Sequence, residues 1–493
     1  MKISIDKSSK VPVYLQIADQ IKAQIISGAL PRSSALPSER ALAQILDVHR
    51  NTVVKAYGEL KSDAWIESRQ GVGYLVASAS TEKEPVGESG EGVQMGRVNW
   101  VNEVADKYLD MEKTFDDLFQ RFTDESHFSL GSGIASREVY TSERVAHDIA
   151  GLLTGSGPSQ YFFSPYKGDR FLRQKLASFL GTKGVKASSG EIQILSETNQ
   201  ALDFIVTLLV KPGDSVVMEE PVHPDMYRVM ELAGARILTV PVDEDGMNCD
   251  VLESLLTQTR PRLIFVNSSF HDPTGCILSL ERRKKLVELS SRYRIPIVEE
   301  DAASELVYDG DKLPPIKAFD TTGNVIYIYS FSLTFIPGLS LAFVTGNRDF
   351  VRALSSLVSV RLMASDWMTQ KLLGMYLDDG SYYSSLATFR EIYSGNRDLV
   401  CQKLDALAHL GVRYERPRGG VYVWCRLPDG VDSKHFINRA YNMGVTLIPG
   451  HVFYPYKNGG RDYIRINYSY ESRERLACGM DVLHKALEEE LEE

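Results

Sequence analysis

LPSERALAQILDVHRNTVVKAYGELKSDAWIESRQGVGYLV, residues 36–76, decides how the N-terminal part of the chain folds. Ser38 belongs to the residue types that accept a hydrogen bond from the free N–H groups opening a helix, and Glu39–Leu46 behind it predicts that helix. Asp47-Val48-His49-Arg50 is short enough for a turn, and Asn51 or Thr52 is expected to cap a further helix running through Leu60. Trp65-Ile66-Glu67-Ser68 and Tyr74-Leu75-Val76-Ala77 then predict two strands around a glycine-bearing loop, Arg69-Gln70-Gly71-Val72-Gly73. Upstream, Val13–Ile26 repeats apolar residues at i, i+3/i+4 and i+7, the period of an amphipathic helix, with Gly28 and Pro31 as stop signals. Three helices and a hairpin are the parts of a winged helix-turn-helix.

In that arrangement the N-terminal residues of the recognition helix enter the major groove. Here they are His49, Arg50, Asn51 and Thr52. A guanidinium reads guanine edges and an amide reads adenine, while a hydroxyl at a helix N-terminus holds phosphate. Ser38 and Arg40, at the start of the preceding helix, are expected to grip the DNA backbone, and Arg69, Gln70 and Gly71 form the wing that reaches the minor groove. A small helical domain using the same arrangement for protein contacts is the alternative.

Outward from this module the composition changes. Residues 1–77 hold ten Lys/Arg and seven Asp/Glu, an excess of +3 in a chain whose net charge is −10. A basic module on an acidic body suits a DNA reader whose body stays off the phosphates. SASTEKEPVGESGEGVQMGR, residues 78–97, offers almost nothing to bury and predicts a flexible linker. From about Val101, helical patterns alternate with buried strands at 215–218, 263–266, 296–298 and 325–328, which predicts an α/β domain. From about residue 370 the pattern turns helical and then sheet-like, including the turn Arg418-Gly419-Gly420.

A length of 493 residues predicts two or three domains, and 43% hydrophobic with 24% charged residues is a globular composition. No apolar run reaches bilayer length and the N-terminus lacks the apolar stretch of a signal peptide, so no membrane partner is expected. The five cysteines (249, 276, 401, 425 and 478) are scattered without a CxxC pair. That argues against a disulfide framework or zinc knuckle and fits a cytoplasmic location.

The elements LPSER, RNTV-KAY-EL and G-G-YLV, in this order, resemble the GntR family of bacterial repressors. His49 departs from the family, which usually has serine there, so a phosphate contact is expected to change. The rest of the chain resembles fold-type I aminotransferases through SETNQAL (196–202), KPGDSVVMEEPVHP (211–224), NSSFHDPTG (267–275), IVEEDAASELVYD (297–309), SFSLTFIPGLSL (330–341) and YIRINYS (463–469). A GntR head on such a body is the arrangement of the MocR subfamily. The resemblance implies a winged helix-turn-helix over 1–77, a linker over 78–100, and transferase-like large and small domains over 101–365 and 366–493. It also implies a homodimer, a double-stranded DNA operator with two half-sites, and a body that binds pyridoxal phosphate (PLP) and senses amino compounds.

Residue by residue, much of the PLP site is altered. A PLP enzyme needs a lysine amine as nucleophile and proton carrier. The family places it where this chain has Leu333. The aromatic ring that stacks on the pyridine corresponds to His223, the tyrosine bonding the ring hydroxyl to Ala302, and the asparagine sharing that role to Asp272. The phosphate-gripping arginine corresponds to Ser340, and the glycine at the phosphate-cradling helix start to Glu197. A carboxylate there opposes a phosphate dianion, because helix N-termini favour anions and like charges repel strongly at low dielectric.

Two features are retained. Asp301 aligns with the aspartate that pairs the pyridinium nitrogen, or is a strand-end carboxylate with a local role. Arg465 aligns with the arginine that takes the substrate carboxylate, or forms an internal salt bridge, with Glu219 or Asp301 as partners. Ser330 and Ser332 bind an anion or simply end a strand. The effector-binding set expected is therefore His223, Asp272, Asp301, Ser330, Ser332 and Arg465.

No covalent cofactor and no metal are expected. Candidate ligands are a small carboxylated or amino effector, and PLP or a preformed PLP–amino acid adduct held without a covalent bond. The function expected is a non-catalytic, ligand-responsive transcriptional regulator. The alternatives are a regulator whose body is architectural or partner-binding, and a working PLP aminotransferase, which Leu333 opposes.

Overall fold

The computed structural model describes residues 3, 5, 12–26, 29–31, 34–46, 48–62, 65–69, 73–76, 126–136, 138–140, 142–155, 165–336, 338–362, 366–456 and 458–492. The linker read over 78–100 and the wing residues Gln70 and Gly71 lie outside the described residues. The chain divides into two compact units, Met1–Val98 and Asn99–Glu493.

The first unit has helices α1 (Val13–Ile26), α2 (Glu39–Leu46) and α3 (Arg50–Ser62), then an antiparallel pair, β1 (Ile66–Arg69) and β2 (Gly73–Val76). Ile17, Ile21, Leu42, Val53, Tyr57, Leu60, Ile66 and Val76 form its core, so each helix turns one apolar stripe inward. The third helix begins at Arg50, two residues earlier than an Asn51 cap implied and three earlier than a Thr52 cap. His49 is the capping residue: its Nδ1 accepts from Asn51 N at 3.2 Å and its carbonyl from Thr52 N.

In the second unit an eight-stranded sheet is the scaffold. Its strands are β4 (Ile192–Leu195), β5 (Ser215–Glu220), β6 (Arg236–Asp243), β7 (Gly246–Met247), β8 (Ile264–Asn267), β9 (Ile297–Asp301), β10 (Val325–Ser330) and β11 (Ala342–Thr345), in the order β4-β11-β10-β9-β8-β5-β6-β7. β5, β6, β8, β9 and β10 run parallel, whereas β11 is antiparallel to both its neighbours.

The central strands are buried along their whole length because both faces are covered. Helices α4 (Thr198–Leu209), α5 (Pro224–Leu232) and α8 (Arg348–Arg361) pack on the face carrying Val298, Phe265 and Ile328. Helices α6 (Cys249–Gln258) and α7 (Leu280–Tyr293) pack on the face carrying Ile297, Ile264 and Val266. A smaller sheet, β12 (Arg413–Tyr414), β13 (Tyr422–Arg426), β15 (Ile448–Pro449) and β16 (Tyr463–Asn467), has the order β12-β13-β16-β15. A short parallel pair, β3 (Phe128–Ser129) with β14 (Val445–Thr446), stands apart from it.

Strand parity decides what faces the ligand side. Side chains alternate along a strand. Asn267, Glu300 and Ser330 therefore share the face of Phe265, Val298 and Ile328, toward α4 and α5. Asp301 falls on the opposite face, with Ile297.

Candidate functional site

The carboxyl ends of β8, β9 and β10 open toward the first turns of α4 and α5, the place where open α/β sheets bind ligands. Two adjoining chambers occupy it. The inner chamber, about 170 Å3, is lined by Asn267, Asp272, Glu300, Ala302, Ala303 and Leu333, among others. The outer chamber, about 430 Å3, is lined by Glu197, Arg228, Ser330, Ser340 and Arg465, among others. Thr198, His223, Ser332 and Tyr422 line both.

Arg465 projects from β16 and is buried. Its Nη1 donates to both oxygens of Asp272, at 2.8 and 2.7 Å, and its Nη2 to the Gly131 carbonyl at 2.9 Å. The guanidinium carbon lies 4.3 Å from the centre of the Tyr422 ring. Arg465 thus forms an internal salt bridge, but its partner is neither Glu219 nor Asp301. Asp272, one turn beyond the end of β8, reaches it instead. His223, which caps α5 by accepting from Asp225 N, places Nε2 3.8 Å from the same carboxylate. Burial raises the Asp272 carboxyl, but Arg465 and then His223 outweigh it and hold the group below its ordinary value.

Asp301 does not reach either chamber, and this corrects the expectation that it contacts a ligand. It is fully buried and saturated on the other side of β9, accepting from Ser304 N at 2.9 Å, Ser304 Oγ at 2.6 Å and the Tyr327 hydroxyl at 2.6 Å. Lys183, itself fully buried, lies 3.7 Å from Asp301 and 2.7 Å from Glu305. The carboxyl group that does line the inner chamber is the neighbouring Glu300. It accepts a short bond from the Asn267 amide. Burial, joined by repulsion from Asp301, Asp272 and Glu299, pushes it up to about 8, so it is mostly protonated at neutral pH. The signal that finds Glu300 is the period of two along Glu299-Glu300-Asp301: only the middle carboxylate shares a face with Val298.

Leu333 closes the inner chamber with a hydrocarbon wall and is 5% exposed. Ser330 is buried and its Oγ accepts from Ser332 N at 3.2 Å, while Ser332 is exposed. Glu197 sits at the N-cap position of α4 without a side-chain capping bond, and its carboxylate borders the outer chamber. Of the residues expected around a ligand, His223, Asp272, Ser330, Ser332, Arg465 and Leu333 come together here, and Asp301 stays out. His271 turns inward, where burial drives its imidazole down to about 4.

In the first unit Ser38 Oγ accepts from Ala41 N at 3.3 Å and so opens α2. Arg40, His49, Arg50 and Asn51 are exposed and Thr52 half-buried. Arg50 is braced by Glu39, its Nη2 lying 2.9 Å from Oε2, and the Tyr74 hydroxyl donates to the other oxygen at 3.0 Å. The Arg50 hydrogen bond holds the Glu39 carboxyl below its ordinary value. For Arg69 only its place at the end of β1, paired with Gly73, is described.

Residues 125–481 match the aminotransferase class I and II family, and residues 13–76 match the gntR family of bacterial regulatory proteins. The chain is 27% identical over 477 residues to YisV, an uncharacterized HTH-type transcriptional regulator of Bacillus subtilis, covering 96% of each. It is 28% identical over 458 residues to MocR, a probable rhizopine catabolism regulatory protein of Rhizobium meliloti, covering 90% of this chain and 88% of that one. Among solved structures, the Pyrococcus horikoshii kynurenine aminotransferase, in complex with PMP, superimposes with a TM-score of 0.75 at 27% identity. That match covers 80% of this chain and 98% of the other.

Proposed function

From the premise that this chain belongs to the aminotransferase class I and II family and carries a gntR-family head, we propose that it is a transcriptional regulator whose body senses a small molecule and does not transaminate. The observation that carries this reading is Leu333, a hydrocarbon at the wall where the family's chemistry needs an amine.

PLP does not fit the residues present. Its phosphate would meet the Glu197 carboxylate at the start of α4, and Ser340 offers no cation to replace the family's arginine. Leu333 cannot bond its aldehyde. No chemical step is therefore assigned to the body. It acts instead as effector-binding and dimerisation module, consistent with a cytoplasmic protein. A ligand preferring one of two arrangements of the body shifts the placement of the DNA-binding heads, and a coupling of about 1–3 kcal/mol is enough for control.

In the head, Arg50 and Asn51 at the start of α3 are the residues proposed to read bases, with Ser38, Arg40, His49 and Thr52 on phosphates and Arg69, Gln70 and Gly71 in the wing. Selection of duplexes from a random pool by the full-length protein tests this together with an amino-transfer assay in the presence of PLP. The expected result is a duplex with two related half-sites and no transfer between amino and 2-oxo acids. A protein that interconverts them overturns the reading of the body, and one that selects no duplex overturns the reading of the head.

A further inference from the structure

We propose that the inner chamber takes a small organic cation, an amine with an apolar body and neither phosphate nor carboxylate. The proposal rests on the reading of this cavity as the effector site and names its ligand class.

Charge and hydrogen-bond capacity point the same way. The cation best placed to attract a carboxylate, Arg465, has both Nη atoms engaged by Asp272 and Gly131, and only its Nε has no partner among the described residues. An incoming carboxylate must displace a buried internal one. At the outer mouth Glu197 meets any phosphate with a like charge, and Arg228 lies in the field of Asp225 and Glu231.

The inner chamber meanwhile presents buried acceptors that lack a donor partner. Asn267 Oδ1 is buried with no hydrogen-bond partner. The Glu300 carboxyl, 6% exposed, has one partner among the described residues, the Asn267 amide on Oε2. A buried acceptor left without a donor is costly, and a ligand N–H offsets that cost. An ammonium carries three donors and no acceptor.

Glu300 lies in the field of Asp272, Glu299 and Asp301, with Glu219 on β5 and Tyr422 on β13. Asp272 is answered by Arg465, Asp301 by Lys183 and Glu299 by Arg283, whereas Glu300 has no cationic partner among the described residues. A ligand cation beside Glu300 favours its ionised form, which burial and the neighbouring carboxylates otherwise oppose. Beyond the polar end, Met226, Phe270, Ala302, Ala303 and Leu333 supply apolar wall. A chamber of about 170 Å3 is close to the roughly 150 Å3 that accommodates a benzene ring in a dry protein cavity.

The test compares four probes on the full-length protein by calorimetry and thermal melting: benzylamine, the isosteric neutral benzyl alcohol, benzoate, and PLP. Benzylamine should bind and raise the melting temperature. Benzyl alcohol and benzoate should bind at least about tenfold more weakly, and Glu300→Gln should weaken benzylamine by a similar factor while leaving benzyl alcohol unchanged. The comparison of probes on the unmodified protein stands even where Glu300→Gln fails to fold. Benzoate or PLP binding as well as benzylamine would overturn the ligand class and leave the effector site standing. Absence of binding by all four would overturn both.

Discussion

Arg465 and Asp272 answer each other across the cavity: one Nη bonds both carboxylate oxygens, at 2.8 and 2.7 Å, while the other Nη is held by the Gly131 carbonyl. An arginine placed to receive a ligand is thereby closed by a residue of its own chain. Removing one member of a buried pair is costly, because the other charge is left without compensation. Asp272→Asn is therefore expected to destabilise the protein by on the order of 3 kcal/mol, read by chemical denaturation. It should also free Arg465 for an external carboxylate, so benzoate affinity should rise over the parent. No gain in benzoate binding by a folded Asp272→Asn protein would show that the pair does not gate the arginine.

Leu333 makes a covalent prediction. The parent protein treated with PLP and borohydride should carry no pyridoxyl label on any cavity residue. Leu333→Lys places an amine there and should become labelled, weakly, because Glu197 and Ser340 still leave the phosphate unheld. Combining Leu333→Lys with Glu197→Gly and Ser340→Arg should increase labelling at a fixed PLP concentration. Peptide mass mapping reads each outcome, and a labelled lysine in the parent cavity would refute the account of the site.

Glu300 predicts how stability depends on pH. Its folded value, about 8, lies above the ordinary value of 4.5, so its contribution is fully present below about 4.5 and is lost as pH rises toward 8. Asp272, Glu299 and Asp301 repel its charged form, and Glu219, also pushed up by burial, acts with the same sign. Glu300→Gln cannot ionise. It should flatten the stability profile across that window by on the order of 1 kcal/mol per pH unit and melt higher than the parent at pH 8. Parallel profiles for parent and variant would contradict the assignment.

Lys183 compensates two buried carboxylates, Asp301 and Glu305. Lys183→Met keeps a comparable shape and removes the charge. The expected loss is roughly 3–5 kcal/mol, visible as a lower denaturant midpoint with an unchanged benzylamine affinity, since none of the three lines the inner chamber. A change in affinity as large as the change in stability would connect this network to the site.

In the head, Arg50→Ala should weaken specific operator binding by roughly 1–3 kcal/mol for a lost base contact. Glu39→Gln leaves Arg50 in place but loosens its brace, so it should reduce discrimination between operator and random duplex more than total binding. Fluorescence anisotropy with both duplexes separates the two effects. Unchanged affinity for Arg50→Ala would move the reading surface elsewhere.

By itself the sequence determined the order of elements in the head and the central strands of the body, since each is written in a local pattern: apolar residues every three to four positions in α1, and short apolar runs in β5, β8 and β10 and at the start of β9. It also determined that position 333 holds no amine, a matter of residue type alone. Tertiary structure decided which carboxylate meets the cavity and which cation it answers. Glu300 and Asp301 are adjacent in sequence and point to opposite faces of β9, and only the packing around the sheet decides which face meets the cavity. Asp272 and Arg465 lie 193 positions apart, so no local pattern pairs them. Their contact exists because two sheets bring a loop and a strand together out of water, where an unanswered charge is too costly to leave.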